Sequence, residues 1–229
     1  MNENYKDLET TGIEDSAKYV AIAINAIPLA GGVMAGIANE VIAKRQSRRL
    51  NNFLISLAEK FKSVSEKINR DFISKEEFQD LTEDIFSKAA ETKQKEKLEA
   101  LKAIFLNTVL SDKPNYNEAV EMAALIERWQ SRHIVLLKIL SNPIEADEQR
   151  GRVVGNGGGF STSISHVLKL LLLTWDEEQI ERTWLELYDA RIHKTDGVRT
   201  TLTNSGIHQL ENRLTEYGIK VIRYIKEPA

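Results

Sequence analysis

The sequence contains no cysteine. A disulfide framework, a thiolate nucleophile and a cysteine-ligated zinc site are therefore excluded, and a reducing compartment is suited. An excess of basic charge is also missing. Its 34 acidic and 31 basic residues leave a net charge of −3, which argues against a chain built mainly to coat nucleic acid. A basic, apolar start is absent as well. Residues 1–18 carry Glu3, Asp7, Glu9, Glu14 and Asp15 against Lys6 and Lys18, and a secretory signal needs the opposite pattern. The expected location is the cytoplasm.

Catalytic motifs are missing too. The four histidines are His133, His166, His193 and His208, and none stands in an HExxH or comparable ligand pattern. His208 and Glu211 are three apart on an expected helix, but two such residues imply no third ligand. His133, on an otherwise apolar stretch, reads as a core or rim histidine. No serine has the context of a nucleophile elbow. The run GRVVGNGGGF holds five glycines between Gly151 and Gly159, yet no lysine follows as a phosphate cradle requires. The sequence nominates no catalytic residue, no cofactor and no metal site, and a non-enzyme is expected.

What is present is helical periodicity. Leu50, Leu54, Leu57, Phe61, Val64 and Ile68 follow one another at spacings of four and three, the apolar stripe of a packed helix. This predicts a helix from about Leu29 to Asn69. Ser74 with Glu77 predicts a capping box for the next helix, which carries Phe78, Leu81, Ile85 and Ala89. A further helix spans roughly 93–110. Asn117 is expected to cap a long apolar helix reaching Leu140, ended by Asn142-Pro143. The expected fold is mainly α. Residues 1–14 form a loose N-terminus, 15–143 an α-helical bundle with a Gly/Ala-rich hairpin at 19–39, 144–162 a Gly-rich linker, and 163–229 a small winged-helix-like α+β domain.

The tail carries its own order. SISHVLKLLLL reads as a short helix, and Thr174 with Glu177 caps a second one bearing Ile180, Trp184 and Leu187. RIHKT-DG-VRTTL predicts two strands joined by a type I′ turn at Asp196-Gly197. Thr203 then opens a final helix with Ile207, Leu210, Leu214, Ile222 and Ile225. Helix, helix, hairpin, helix is a winged-helix layout, and TLTNSG resembles the LT-x-x-G step of that superfamily. Arg191, Lys194 and Arg199 are the candidate wing contacts. The helix before the wing exposes Asp176, Glu177, Glu178, Glu181, Glu186 and Asp189 against the single basic Arg182. Such a face opposes a polyanion, so nucleic acid is not the expected partner.

One segment raises a separate question. Tyr19–Asn39, YVAIAINAIPLAGGVMAGIAN, holds 21 residues without a charge, enough for a bilayer. It contains a GxxxG at Gly32 and Gly36, reinforced by Gly31, which permits close helix approach. Lys44, Arg45, Arg48 and Arg49 follow as a basic collar for anionic lipid or a partner, worth about 1 kcal/mol each near a charged membrane. Against a span stand Asn25, Pro28, Asn39 and the scarcity of leucine and phenylalanine. Proline breaks the helix at Pro28. The residues favour a helical hairpin packed through its small residues inside the bundle. Conditional membrane contact and a permanent span are the alternatives.

The glycine-bearing IPLAGG, the helices SKEEFQDL and KEKLEALKAIFLNTVL, and the tail ending in TLTNSGIHQL occur in an order that resembles the bacterial abortive-infection alpha-like and related phage-defence proteins. That resemblance implies a role in stopping phage spread by disabling the infected cell. The expected function is thus a non-enzymatic defence or interaction protein, membrane-active through residues 19–39 and held at the inner face of the cell membrane. The expected partner is a protein or a second copy, with anionic membrane as a further contact. The alternative is a winged-helix regulator or adaptor that dimerises through its bundle.

Overall fold

The computed structural model describes residues 31–44, 48–151, 162–202 and 210–228. The chain divides into two compact units, one running to Arg128 with the C-terminal residues from Tyr224, the other Trp129–Arg223. Of the linker expected at 144–162, residues 152–161 lie outside the described residues, and the part up to Gln149 is helical. The described part is mainly helical, with eleven α-helices and two strands of two residues each.

The first unit holds α1 (Gly31–Lys44), α2 (Arg48–Ser63), a 3-10 turn (Ser65–Lys67), α3 (Arg70–Ile73), α4 (Glu76–Glu91), α5 (Lys95–Val109) and α6 (Tyr116–Arg128). Its core follows the apolar spacing. Leu50, Leu54, Leu57, Phe61, Val64 and Ile68 are all buried, as are Phe78, Leu81, Ile85 and Ala89 on α4. α4 is the hub and packs against α1, α2, α5 and α6. Phe105 of α5 lies about 6 Å from the rings of Phe61, Phe78 and Phe86. Each such buried side chain contributes about 1.5–3 kcal/mol relative to exposure.

Helix ends differ from the expectation where side chains find tertiary partners. The helix expected to reach Asn69 stops at Ser63, and its expected start before Gly31 lies outside the described residues. Asn69 is drawn to the end of α5: its N–H bonds the Val109 carbonyl at 2.8 Å and its Nδ2 the Ser111 carbonyl at 3.0 Å. Its Oδ1 accepts from Phe72 N and caps α3. Ser74 does not open a capping box. Its hydroxyl donates to Asp71 O at 2.9 Å, closing α3, and Lys75 stands at the start of α4 without a side-chain cap. Asn115, not Asn117, caps α6, accepting from Glu118 N.

The long helix expected to Leu140 is two helices. α6 ends at Arg128 and α7 (Ser131–Ser141) begins the second unit. The restart has a cause: Gln130 accepts from the His133 amide, and the His133 ring accepts from Gln130 N at 3.0 Å, a reciprocal cap. Pro143 does not merely end α7. It is the first residue of α8 (Pro143–Gln149), which Asn142 caps. Gly151 follows with φ 83°, a left-handed position that suits glycine.

β1 (Thr162–Ser163), α9 (Ile164–Leu171), α10 (Glu177–Asp189), β2 (Thr201–Leu202), a 3-10 turn (Glu211–Arg213) and α11 (Glu216–Ile225) complete the chain. Asp176, not Thr174, caps α10, its Oδ1 accepting from Gln179 N at 2.7 Å. The expected hairpin is absent. β2 pairs antiparallel with β1, Thr162 opposite Leu202 and Ser163 opposite Thr201. Ser165 N bonds Val198 O, and His193 instead bridges Leu214. A type I′ turn needs positive φ at both central residues, and Asp196 and Gly197 have none: among the described residues only Arg191 and Gly151 do. The final helix starts at Glu216 rather than Thr203, within a stretch of which 203–209 lie outside the described residues. Thr215 Oγ1 accepts from Gly218 N at its start.

Candidate functional site

α1 turns its two faces to different surroundings. Met34, Ala35 and Ala38 are buried, and α1 packs on α4. Gly32, Val33, Gly36 and Glu40 are exposed, with Val33 at 37 %. Among the described residues, a Cβ built on Gly32 or Gly36 would meet no heavy atom within 4 Å. Most of the hairpin expected at 19–39 lies outside the described residues; within α1 Gly32 and Gly36 look outward, and the inward face is Met34 with the small residues Ala35 and Ala38. Gly31 is the first residue of α1, and Pro28 lies outside the described residues.

Among the described residues no helix is long and apolar enough to cross a membrane. Of the basic collar, Lys44 ends α1, Arg48 and Arg49 open α2, and Arg45 lies outside the described residues.

The three wing residues do not share a hairpin. Arg191 stands at φ 59° directly after α10. Its N–H bonds Tyr188 O at 2.8 Å, and Ile192 N bonds Leu187 O at 2.9 Å, the double bond of a Schellman end. Arg191 thus closes a helix in a position where glycine is usual. Arg199 is paired with Glu181 at 3.9 Å, and Lys194 is exposed. Beside them α10 exposes Glu177, Glu178, Leu185, Tyr188 and Asp189.

Glu186 is not the free surface carboxylate the sequence suggested. Arg132 reaches both its oxygens at 2.9 and 2.7 Å, Arg182 Nε bonds it at 3.0 Å, and His133 Nε2 donates at 2.7 Å. Burial alone would raise its pKa, but the hydrogen bonds from Arg132, Arg182 and His133 prevail and hold it at about 2. Burial pushes the His133 imidazole below its ordinary value, against the pull of Glu186. Trp129 stacks on the ring at 5.8 Å. Both ring nitrogens are engaged, Nε2 by Glu186 and Nδ1 by Gln130 N, so this arrangement offers no nitrogen to a substrate. It ties α7 to α10. Adjacent Arg132-His133 and the i,i+4 pair Arg182–Glu186 were its only traces in the sequence.

His193 is buried beside Trp184, ring centres 4.0 Å apart, with Nε2 on the Trp184 carbonyl at 3.0 Å. His208 lies outside the described residues; among those described, no three histidine or carboxylate side chains gather as a metal site. Among the described residues, the first unit holds a groove of about 400 Å³ between α2 and α5 and a hollow of about 270 Å³ at the α4–α5 turn. No family model, no curated protein and no solved structure matches the chain.

Proposed function

We propose that the chain is a non-enzymatic interaction protein and that the outward face of α1 is its contact surface. One observation carries this reading: Gly32 and Gly36 sit one turn apart, exposed, with open space where side chains would be. Glycine inside a helix costs about 0.5–1 kcal/mol against alanine. Among the described residues no contact at these positions calls for it. A second helix approaching closely does, because two glycines let backbones meet. Among the described side chains this face exposes Val33 and Glu40, with Ile37 half-buried beside them. That composition suits contact with another helix, such as α1 of a second copy, better than immersion in lipid, which favours a broad apolar face. The resemblance to abortive-infection proteins gives this contact a setting in bacterial antiviral defence, at the inner face of the membrane.

Sedimentation of the wild type and of the double variant Gly32→Leu, Gly36→Leu tests it. The outward positions leave room for leucine, so circular dichroism of the variant stays unchanged. The wild type self-associates and the variant does not. Identical sedimentation of the two contradicts the reading. Dye release from phosphatidylglycerol vesicles, if lost in the same variant, assigns the face to lipid instead.

The winged-helix adaptor is the second reading, and the exposed Leu185 and Tyr188 on α10 favour it as a binder of protein. The carboxylates of that helix and the pairing of Arg199 with Glu181 weigh against duplex DNA.

A further inference from the structure

The groove between α2 and α5 has an apolar floor of Phe53 and Leu98 and a rim that includes Lys93, Lys95, Lys102 and Ser56. Its own carboxylate, Glu99, stands 3.8 Å from Lys95. Lys95 remains 84 % exposed. Lys93 is exposed and forms no ion pair among the described residues. At one end the groove already meets a peptide, the C-terminal segment of the chain. Asn107 Nδ2 donates to the Tyr224 and Lys226 carbonyls at 2.9 and 2.8 Å. The Tyr224 hydroxyl donates to Glu118 at 3.1 Å. The Glu227 carboxylate lies between Lys60 and Lys102, at 3.7 and 3.6 Å. Lys102 in turn bonds Ser56 Oγ at 3.1 Å inside the groove. A carboxylate of the tail thus sits at the threshold, and beyond it lie an apolar floor and two further lysines.

We infer that this groove is a docking site for an acidic peptide of a partner protein. The peptide continues the line of the tail past Lys102, sets carboxylates at Lys93 and Lys95, and lays an apolar side chain on Phe53 and Leu98. Complementary charge selects the peptide and speeds its arrival, while the apolar contact supplies the affinity. A volume of about 400 Å³ accommodates a few residues. The site is separate from the outward face of α1, so either can fail without the other.

The probe is a fluorescently labelled peptide of alternating glutamate and leucine, followed by anisotropy against the full chain. The control peptide carries glutamine for every glutamate. The wild type binds the acidic peptide, more weakly as salt rises. The double variant Lys93→Glu, Lys95→Glu alters two exposed side chains, keeps its circular dichroism and binds at least about tenfold more weakly. Glu227→Gln frees Lys102 and binds about twofold more tightly. The inference is overturned if the wild type does not bind, if the glutamine peptide binds as well, or if the double variant binds as the wild type does.

Discussion

Glu186 accepts a 2.7 Å hydrogen bond from His133 Nε2, although the two residues lie 53 positions apart. The same carboxylate holds Arg132, whose side chain is only 16 % exposed. Removing it strands a half-buried guanidinium and leaves His133 Nε2 without its acceptor. Glu186 itself is about one-third exposed, so water recovers part of the loss. Glu186→Ala is expected to cost about 2 kcal/mol, read as a lower urea midpoint at unchanged slope. A loss below about 0.5 kcal/mol would place the cluster among ordinary surface pairs.

The same cluster sets an acid response. His133 and His193 are both held below their ordinary value of 6.5 by burial. The unfolded chain therefore takes up protons first, and the stability these rings contribute, complete above 6.5, declines as pH falls from there toward their folded values. Glu186 adds a second window, because its carboxylate contributes above 4.5 and loses that contribution as pH falls to about 2. Urea titrations should show the midpoint dropping as pH falls below 6.5, before the carboxylate range is reached. In His133→Gln that early drop should shrink. A midpoint flat down to the carboxylate range would refute the histidine part.

Two glycines make opposite predictions. A Cβ on Gly218 would lie 2.1 Å from the Ile192 carbonyl oxygen, a backbone atom that cannot swing aside. Gly218→Ala should destabilise the second unit by about 2 kcal/mol or more. Gly36→Ala meets no atom of the described residues within 4 Å and should stabilise by about 0.5–1 kcal/mol. Thermal melts of the two variants moving in the same direction would contradict this.

Arg191 holds a left-handed φ of 59° at the end of α10, which costs an L-residue about 1 kcal/mol. Arg191→Gly should therefore raise stability by about 0.5–1 kcal/mol in a urea titration. A loss of stability would show that its side chain, rather than its backbone, holds the turn. Changing Arg191, Lys194 and Arg199 together to alanine should leave duplex DNA retention as it was. Salt-sensitive binding abolished by that change would restore the DNA-binding form of the winged-helix reading.

Local periodicity made much of the first unit legible. The stripe from Leu50 to Ile68 is buried throughout, even though the helix expected to carry it stops at Ser63. Burial depends on spacing, which the 3-10 turn nearly preserves, whereas the helix end depends on Asn69 finding the carbonyls after α5. Ser74 had two uses open to it, and the closer carbonyl of Asp71 prevailed. The break at Trp129-Gln130 was hidden because its cap uses a histidine ring, outside the usual capping residues. Asp196-Gly197 misled for a related reason. β2 finds its partner in β1, nearly forty residues upstream, and a dipeptide cannot report that. On α1 the pattern identified the small residues but not their direction, since alanine and glycine carry too little apolar contrast to say which face is inward.

That direction is the centre of the account. The chain has no cysteine, so Val33→Cys gives a single labelling point on the outward face of α1. A spin label there, challenged with a water-soluble paramagnetic relaxant, reports whether the face is covered. Accessibility is predicted to fall as protein concentration rises, and to remain high in the Gly32→Leu, Gly36→Leu background. A label that stays fully accessible at every concentration would contradict the assignment of this face as the contact surface.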